Sequence, residues 1–338
     1  MFSIRNETMF SIDRRDTIFV RFLAIFLITN SHLDQLYPVT YLGTGGAIGN
    51  ALFFMLSGYG LTISWQKNKY SFFKWYKRRI LRIYPSLILV VIIFDLLLGG
   101  AWKYWTFLDY LTAFTWPTPA WFISALMLFY IIFFIILRLK NHNAFIAAIF
   151  LLFIPYFYFY FSHVDLSHYT IEGPGYFKWI FYLQIMLFGG YLAYHSQKIK
   201  YKNHTFIIYL MGALLLYLVF GKSFVNGHYA EYQFVIHLLT FAIVYFTFAV
   251  ARSALVLEKI MGNQKTFYIV ALISGLTLEI YLLQYQVYSN VIVTSLLFPI
   301  NIIIFWILVV FLAFIIFRIS DFVRTFLSSN INKNLSFL

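Results

Sequence analysis

Arg21 and His32 stand eleven residues apart inside the first long apolar segment of the chain. At about 100° per residue, eleven steps of an α-helix return to within about 20° of the starting direction. Both side chains are therefore expected on one face, with about 16 Å of helix axis between them. A cation and an imidazole inside a membrane span are costly unless they line a polar cavity or find partners. Together they suit general-base chemistry: a guanidinium for an anion or carbonyl, and an imidazole as the base, its ordinary pKa being about 6.5. Taken singly, each has a plainer reading: Arg21 snorkels to the headgroups, and His32 bonds a neighbouring helix.

Three more stretches carry polar groups in apolar surroundings. Residues 43–61, GTGGAIGNALFFMLSGYGL, hold a GxxxG spacing at Gly45 and Gly49 and a Ser57-Gly58 pair. The glycines are expected to let helices approach, and the pair to expose a hydroxyl or carbonyl to a cavity. Residues 74–85, KWYKRRILRIYP, bring together Lys74, Lys77, Arg78, Arg79 and Arg82. Arg79 and Arg82 share a helix face and suit bidentate binding of phosphate; anchoring to anionic lipid is the common alternative. Residues 276–288, LTLEIYLLQYQVY, place Glu279 and Gln284 in a span. Glu279 lies at about the depth of Arg21, and a pairing of the two is expected to offset their burial. His237 is expected to be a packed core histidine. No GxSxG elbow, P-loop, HExxH or other zinc spacing occurs, so no metal site is expected.

These groups need elements to hold them, and composition says which. The chain has 338 residues, 62% hydrophobic and 11% charged, with no cysteine. Soluble domains carry about 25% charged residues, so this is an integral membrane protein. Disulfides, thiolate metal sites and a cysteine nucleophile are excluded. Ten spans are expected, near 17–36, 45–65, 80–98, 120–138, 144–161, 177–195, 205–221, 231–251, 275–295 and 300–320. The fold class is all-α and polytopic. The opening residues are too polar for a signal-peptide core, so the first segment is expected to remain as a span.

The net charge of +13 raises the question of nucleic acid. Its distribution answers it. With the N-terminus inside, inner segments take 21 of the 25 Lys and Arg and outer segments three, with Arg21 inside a span. That is the positive-inside pattern, and it implies N-in, C-in topology and no nucleic-acid partner. A single membrane domain over 1–338 is expected, with a short cytoplasmic arm (1–16) and tail (321–338). The inner loop 66–79 interleaves cations with aromatics and is expected to lie as an amphipathic surface helix. The outer stretch 99–119 suits an interfacial or re-entrant segment. The outer loop 162–176 carries His163, Asp165, His168 and Glu172 and is polar enough to meet a hydrophilic substrate.

Taken in order, these stretches resemble the acyltransferase family 3 of integral membrane acyltransferases, which O-acetylate surface glycans. The first-span Arg, ten residues, then His is matched by Arg21 and His32, with the small Ala24 between. The FFxxSG pattern is matched by Phe53, Phe54, Ser57 and Gly58, and RxxR by Arg79 and Arg82, followed by Tyr84-Pro85. Trp121, Phe122 and Ser124 resemble the fourth-span start, and Tyr281-Leu282 a late Tyr-Leu-x-His. Three positions depart: Ile18 stands where many members have Asp, Ala125–Met127 where many have Glu, and Gln284 where the late His would be.

The resemblance implies a bacterial plasma (inner) membrane protein. Its donor would be acetyl-CoA or another short acyl-CoA in the cytoplasm. Its acceptor would be a sugar hydroxyl on a lipid-linked or nascent surface polysaccharide. Arg79, Arg82 and the nearby Lys74, Lys77 and Arg78 would hold the donor's phosphates. His32 would deprotonate the acceptor or carry the acyl group itself, with Arg21 beside the donor's path. Ser57, Phe53, Phe54, Trp121, Glu279, Tyr281 and Gln284 would line the cavity. The competing reading is a transporter or flippase of a lipid-linked glycan, which intramembrane Arg, His and Glu also suit.

Overall fold

The computed structural model describes residues 12–93, 121–173, 175–195 and 205–334. Among them are helices α1 (Ile12–Asn30), α2 (Gly46–Lys67), α3 (Phe72–Val90), α4 (Trp121–Arg138), α5 (Asn143–His163) and α6 (Gly175–His195). There follow α7 (Thr205–Val225), α8 (Phe234–Ala251), α9 (Gln264–Gly275), α10 (Thr277–Tyr288), the short α11 (Val291–Thr294) and α12 (Ile300–Asn334). No strand occurs among the described residues. The protein is all-α and polytopic. Among the described residues, six helices are long and apolar enough to cross a membrane, or seven when the bent pair α9 and α10 counts as one span. The other expected spans coincide with α1, α3 and α6. These are helical but carry Arg21, the Lys74–Arg82 cations and Lys178 respectively.

Three expectations change. The ninth span is not one helix over 275–295: α10 ends at Tyr288, and Asn290 then caps the short α11 by accepting from the Ile292 amide at 2.9 Å. At the start of the span, α9 and α10 meet across Leu276 at a 74° bend. Gly45 and Gly49 do not form a helical GxxxG, because Gly45 has φ +101° and precedes α2. The basic loop 66–79 is not a separate surface helix, since from Phe72 onward it forms the opening turns of α3. That helix buries Trp75, Ile83, Pro85, Ser86, Leu87 and Val90 while Lys74, Lys77, Arg78 and Arg82 stay exposed. The amphipathic character expected of the loop is therefore present, fused to the following helix. The segment 99–119 lies outside the described residues.

The chain divides into two compact units. One comprises Met1–Ala24, Ala47–Ser64 and Leu139–Ser274, the other Ile25–Gly46, Trp65–Arg138 and Gly275–Leu338. In the first, α5 packs on α6 and α7 on α8. Gly58 of α2 lies against the Met186 carbonyl, and Gly189 of α6 against the Met55 carbonyl. Any Cβ at either position would overlap the facing backbone, so the two glycines set how closely α2 and α6 approach. In the second unit, α3, α10 and α12 pack on one another.

Candidate functional site

Helix α1 ends at Asn30, short of His32. The following amides close tighter, three-residue turns: His32 to Thr29 O at 3.0 Å and Leu33 to Asn30 O at 3.1 Å. His32 therefore stands in a turn and not on the helix face that an unbroken α-helix would give it. Asn30 is the cause. Its amide donates to Leu42 O at 2.8 Å and Thr44 O at 3.0 Å, and its oxygen accepts from the Tyr37 hydroxyl at 2.6 Å. These bonds fold residues 31–45 back over the helix end. Asn301 of α12 fixes the same loop by donating to Leu36 O at 2.7 Å. The His32 ring is exposed on this pinned loop, with the Asp34 carboxylate in electrostatic reach. Asparagines 30 and 301 were not singled out in the sequence, where nothing ties them to a loop. Arg21 lies half-buried on α1, nine residues before the helix ends.

The cations of α3 divide into two sets. Lys74 and Arg78 lie over the Tyr70 ring, at 5.4 and 4.7 Å. Arg79 lies over Trp75 at 5.2 Å, and both Arg79 and Arg82 act electrostatically on Tyr130 of α4. Arg79 is half-buried, and its Nε is buried without a hydrogen-bond partner. Lys77 is exposed. Arg79 and Arg82 are thus the pair set against a common aromatic wall, as their spacing of three predicts.

A residue not singled out in the sequence holds this segment. Pro85 has no N–H, so the carbonyl four residues earlier, that of Leu81, loses its helical partner. Arg324 of α12 supplies it: Nε donates to Leu81 O at 3.2 Å and Nη2 reaches Arg82 O at 3.5 Å. Asp321 faces Nη1 at 3.4 Å. The Tyr84-Pro85 step therefore opens a docking point for the last helix beside the Arg79–Arg82 turn. Replacing Arg324 with Met is expected to destabilise the protein by about 1–3 kcal/mol by leaving that carbonyl unmet. Thermal unfolding in detergent measures it, and Pro85→Ala should shrink the effect because Ala restores the helical donor.

Glu279 is buried on α10, and Ser86 of α3 donates to its Oε1 at 2.6 Å. Within this unit, the cations that act on it are Arg324 and Arg82. Its partners within this unit are thus groups of α3 and α12. Tyr281 packs on Phe122 with ring centroids 5.4 Å apart, and Phe122 on Trp121 at 6.0 Å. Gln284 is buried, and its side-chain oxygen accepts no hydrogen bond among the described residues. In the other unit, Ser57 donates to Phe53 O at 2.9 Å and so closes onto its own helix. Phe54 stacks on Tyr182 at 5.1 Å. Gly58 of the same stretch is the close contact of α2 with α6.

The first unit holds a polar cluster on the hydrophilic loop 162–176 and the helices around it. Gln233, fully buried, accepts from the Thr170 and Ile171 amides at 2.9 and 2.8 Å and donates to Asp165 O and His168 O at 2.8 and 3.1 Å. Glu172 follows this pinned loop. His237 is packed, as expected, stacked on Phe181 at 3.7 Å with its Nδ1 bonded to the Tyr156 hydroxyl at 2.9 Å. Its Nε2 lies 3.9 Å from Glu172. Tyr156, Tyr169, Lys178, Tyr182 and Tyr217 lie within electrostatic reach of that carboxyl. Burial pushes the Glu172 pKa up to about 7, with Lys178 pulling it down.

The sign of the pH effect follows from that shift. Between its ordinary value near 4.5 and about 7 the folded protein holds a proton that the unfolded chain has released. Stability is expected to fall as pH rises through that window, and the fall should vanish in Glu172→Gln. Unfolding temperatures across the window check it.

Residues 15–320 match the acyltransferase domain of acyltransferase family 3. The chain belongs to that family, and with its apolar helices it is a multi-pass membrane acyltransferase. No curated protein and no solved structure matches it.

Proposed function

We propose that the protein transfers an acetyl or other short acyl group from cytoplasmic acyl-CoA to a hydroxyl of a lipid-linked or nascent surface glycan in a bacterial inner membrane. Both chain ends would face the cytoplasm, as the distribution of Lys and Arg favours. The observation that carries the reading is that one unit holds both chemistries, the cationic turn of α3 and the exposed His32 on its pinned loop. In the chain α2 joins the two. The 22 residues of α2 span about 33 Å, close to the hydrocarbon thickness of a bilayer.

Arg79 and Arg82 hold the phosphates of the donor, with Lys74, Lys77 and Arg78 adding to the attraction. The donor's thin arm carries the thioester towards His32, and Trp121, Tyr281, Glu279 and Gln284 of the same unit line its path. His32 takes the proton of the acceptor hydroxyl as its oxygen attacks the thioester carbonyl. The C–O bond forms, the C–S bond breaks, and CoA leaves as a thiolate that recovers the proton. If His32 carries the acyl group first, the same bonds exchange in two steps.

A donor comparison tests the cationic grip. Acetyl-CoA should saturate the wild type at far lower concentration than acetyl-pantetheine, which lacks the polyanionic head. Arg79→Ala with Arg82→Ala should bring the two donors together. An unchanged preference in that variant would remove the cations from donor binding.

A further inference from the structure

We propose that the Glu172 cluster is a binding subsite for a neutral, hydroxyl-rich ligand, the saccharide of the acceptor, an inference that rests on the glycan-acceptor reading above. The cluster assembles groups from five elements: Tyr156 of α5, Tyr169 and Glu172 of the pinned loop, Lys178 and Tyr182 of α6, Tyr217 of α7 and His237 of α8.

Its hydrogen bonding is incomplete in one direction. A carboxylate offers about four acceptor positions, yet Glu172 accepts no hydrogen bond among the described residues. His237 Nε2 lies 3.9 Å away. The hydroxyls of Tyr169 and Tyr217 likewise make no hydrogen bond among the described residues, and both residues are half-buried. Leaving a carboxyl two-thirds covered without donors is costly, and its side chain is still 34% exposed. The donors that would satisfy it can therefore arrive from outside.

The neighbours choose the ligand class. Lys178 beside Glu172 disfavours a bound cation, and Glu172 disfavours an anion. What remains is a neutral molecule that both donates and accepts: its hydroxyls donate to Glu172 and exchange hydrogen bonds with the two phenols. The tyrosine rings add flat apolar faces of the kind that a sugar's C–H groups cover. The loop is already ordered, since Gln233 fixes residues 165–171 by four hydrogen bonds, so binding need not order it.

The test uses the full-length protein in nanodiscs, with a membrane-glycan extract as probe and KCl as the cation control. Glu172→Gln is compared with a Tyr169→Phe, Tyr217→Phe double variant, which removes only two oxygens and guards against a folding defect. The extract should raise the unfolding temperature of the wild type, and both variants should need at least tenfold more extract for the same rise. CoA release without acceptor, and the half-saturating acetyl-CoA, should stay within twofold of wild type. A wild-type shift that both variants retain overturns the subsite, as does a shift with KCl alone or no shift with the extract. Failure of the glycan-acceptor reading shows differently: the wild type would bind the extract through Glu172, yet the extract would never stimulate CoA release.

Discussion

Replacing His32 with Ala lowers acyl transfer about 10²–10⁴-fold, the usual contribution of a general acid–base group, and leaves the unfolding temperature within about 1 °C. The two halves of that expectation have separate grounds. The imidazole is exposed and makes no hydrogen bond among the described residues. The loop that carries it is fixed by Asn30, Tyr37 and Asn301. Its removal therefore breaks nothing that the fold uses, and exposed substitutions of this kind cost within about 0.5 kcal/mol. If His32 moves the proton, the loss falls on kcat, donor affinity is kept, and added imidazole restores part of the rate. A variant that keeps wild-type turnover removes His32 from the chemistry.

Replacing Asp16 with Ala has the opposite signature, a large loss of stability. Asp16 is almost wholly buried on α1, and its carboxylate lies 3.4 Å from Arg252 Nε, just beyond α8. Arg252 is itself only 15% exposed and stacks over Phe248 at 5.7 Å. Removing the carboxylate leaves a guanidinium with little water and no counter-charge from Asp16, which costs about 3–5 kcal/mol. Arg252→Met in the same chain should recover much of that, because removing both charges removes the desolvation cost as well. Unfolding titrations of the two single variants and the double variant measure it. A single-variant cost below about 1 kcal/mol would mean that water screens the pair.

Much of this arrangement was legible in the sequence because local periodicity carries it. Each expected span overlaps a helix, and the Arg79–Arg82 pair falls on one face because three residues make most of a turn. His237 packs as its apolar neighbours implied. The expectations that changed are those decided by backbone detail. Asn30 ends α1 through bonds to carbonyls 12 and 14 residues ahead, and the ninth helix stops at Tyr288, where hydropathy alone reads one continuous segment. Other features rest on long-range partners that spacing cannot encode. Arg324 meets Leu81 across 243 residues, and Asn301 meets Leu36 across 265. Yet the first of these had a signal: a proline inside a helix frees a known carbonyl, so a donor for Leu81 had to come from somewhere. Glu172 was visible as part of a polar loop, but its place among phenols from three helices required the fold.

The central claim is transfer of an acyl group from CoA through a site that depends on His32. The most direct measurement is CoA release and label transfer from acetyl-labelled acetyl-CoA in proteoliposomes supplied with a membrane-glycan extract. Wild type, His32→Ala and Arg82→Ala are run side by side. The account predicts CoA release and labelled glycan with wild type, neither with folded His32→Ala, and activity with Arg82→Ala only at raised acetyl-CoA. Folded wild type that labels no glycan and releases no CoA at saturating acetyl-CoA would contradict it.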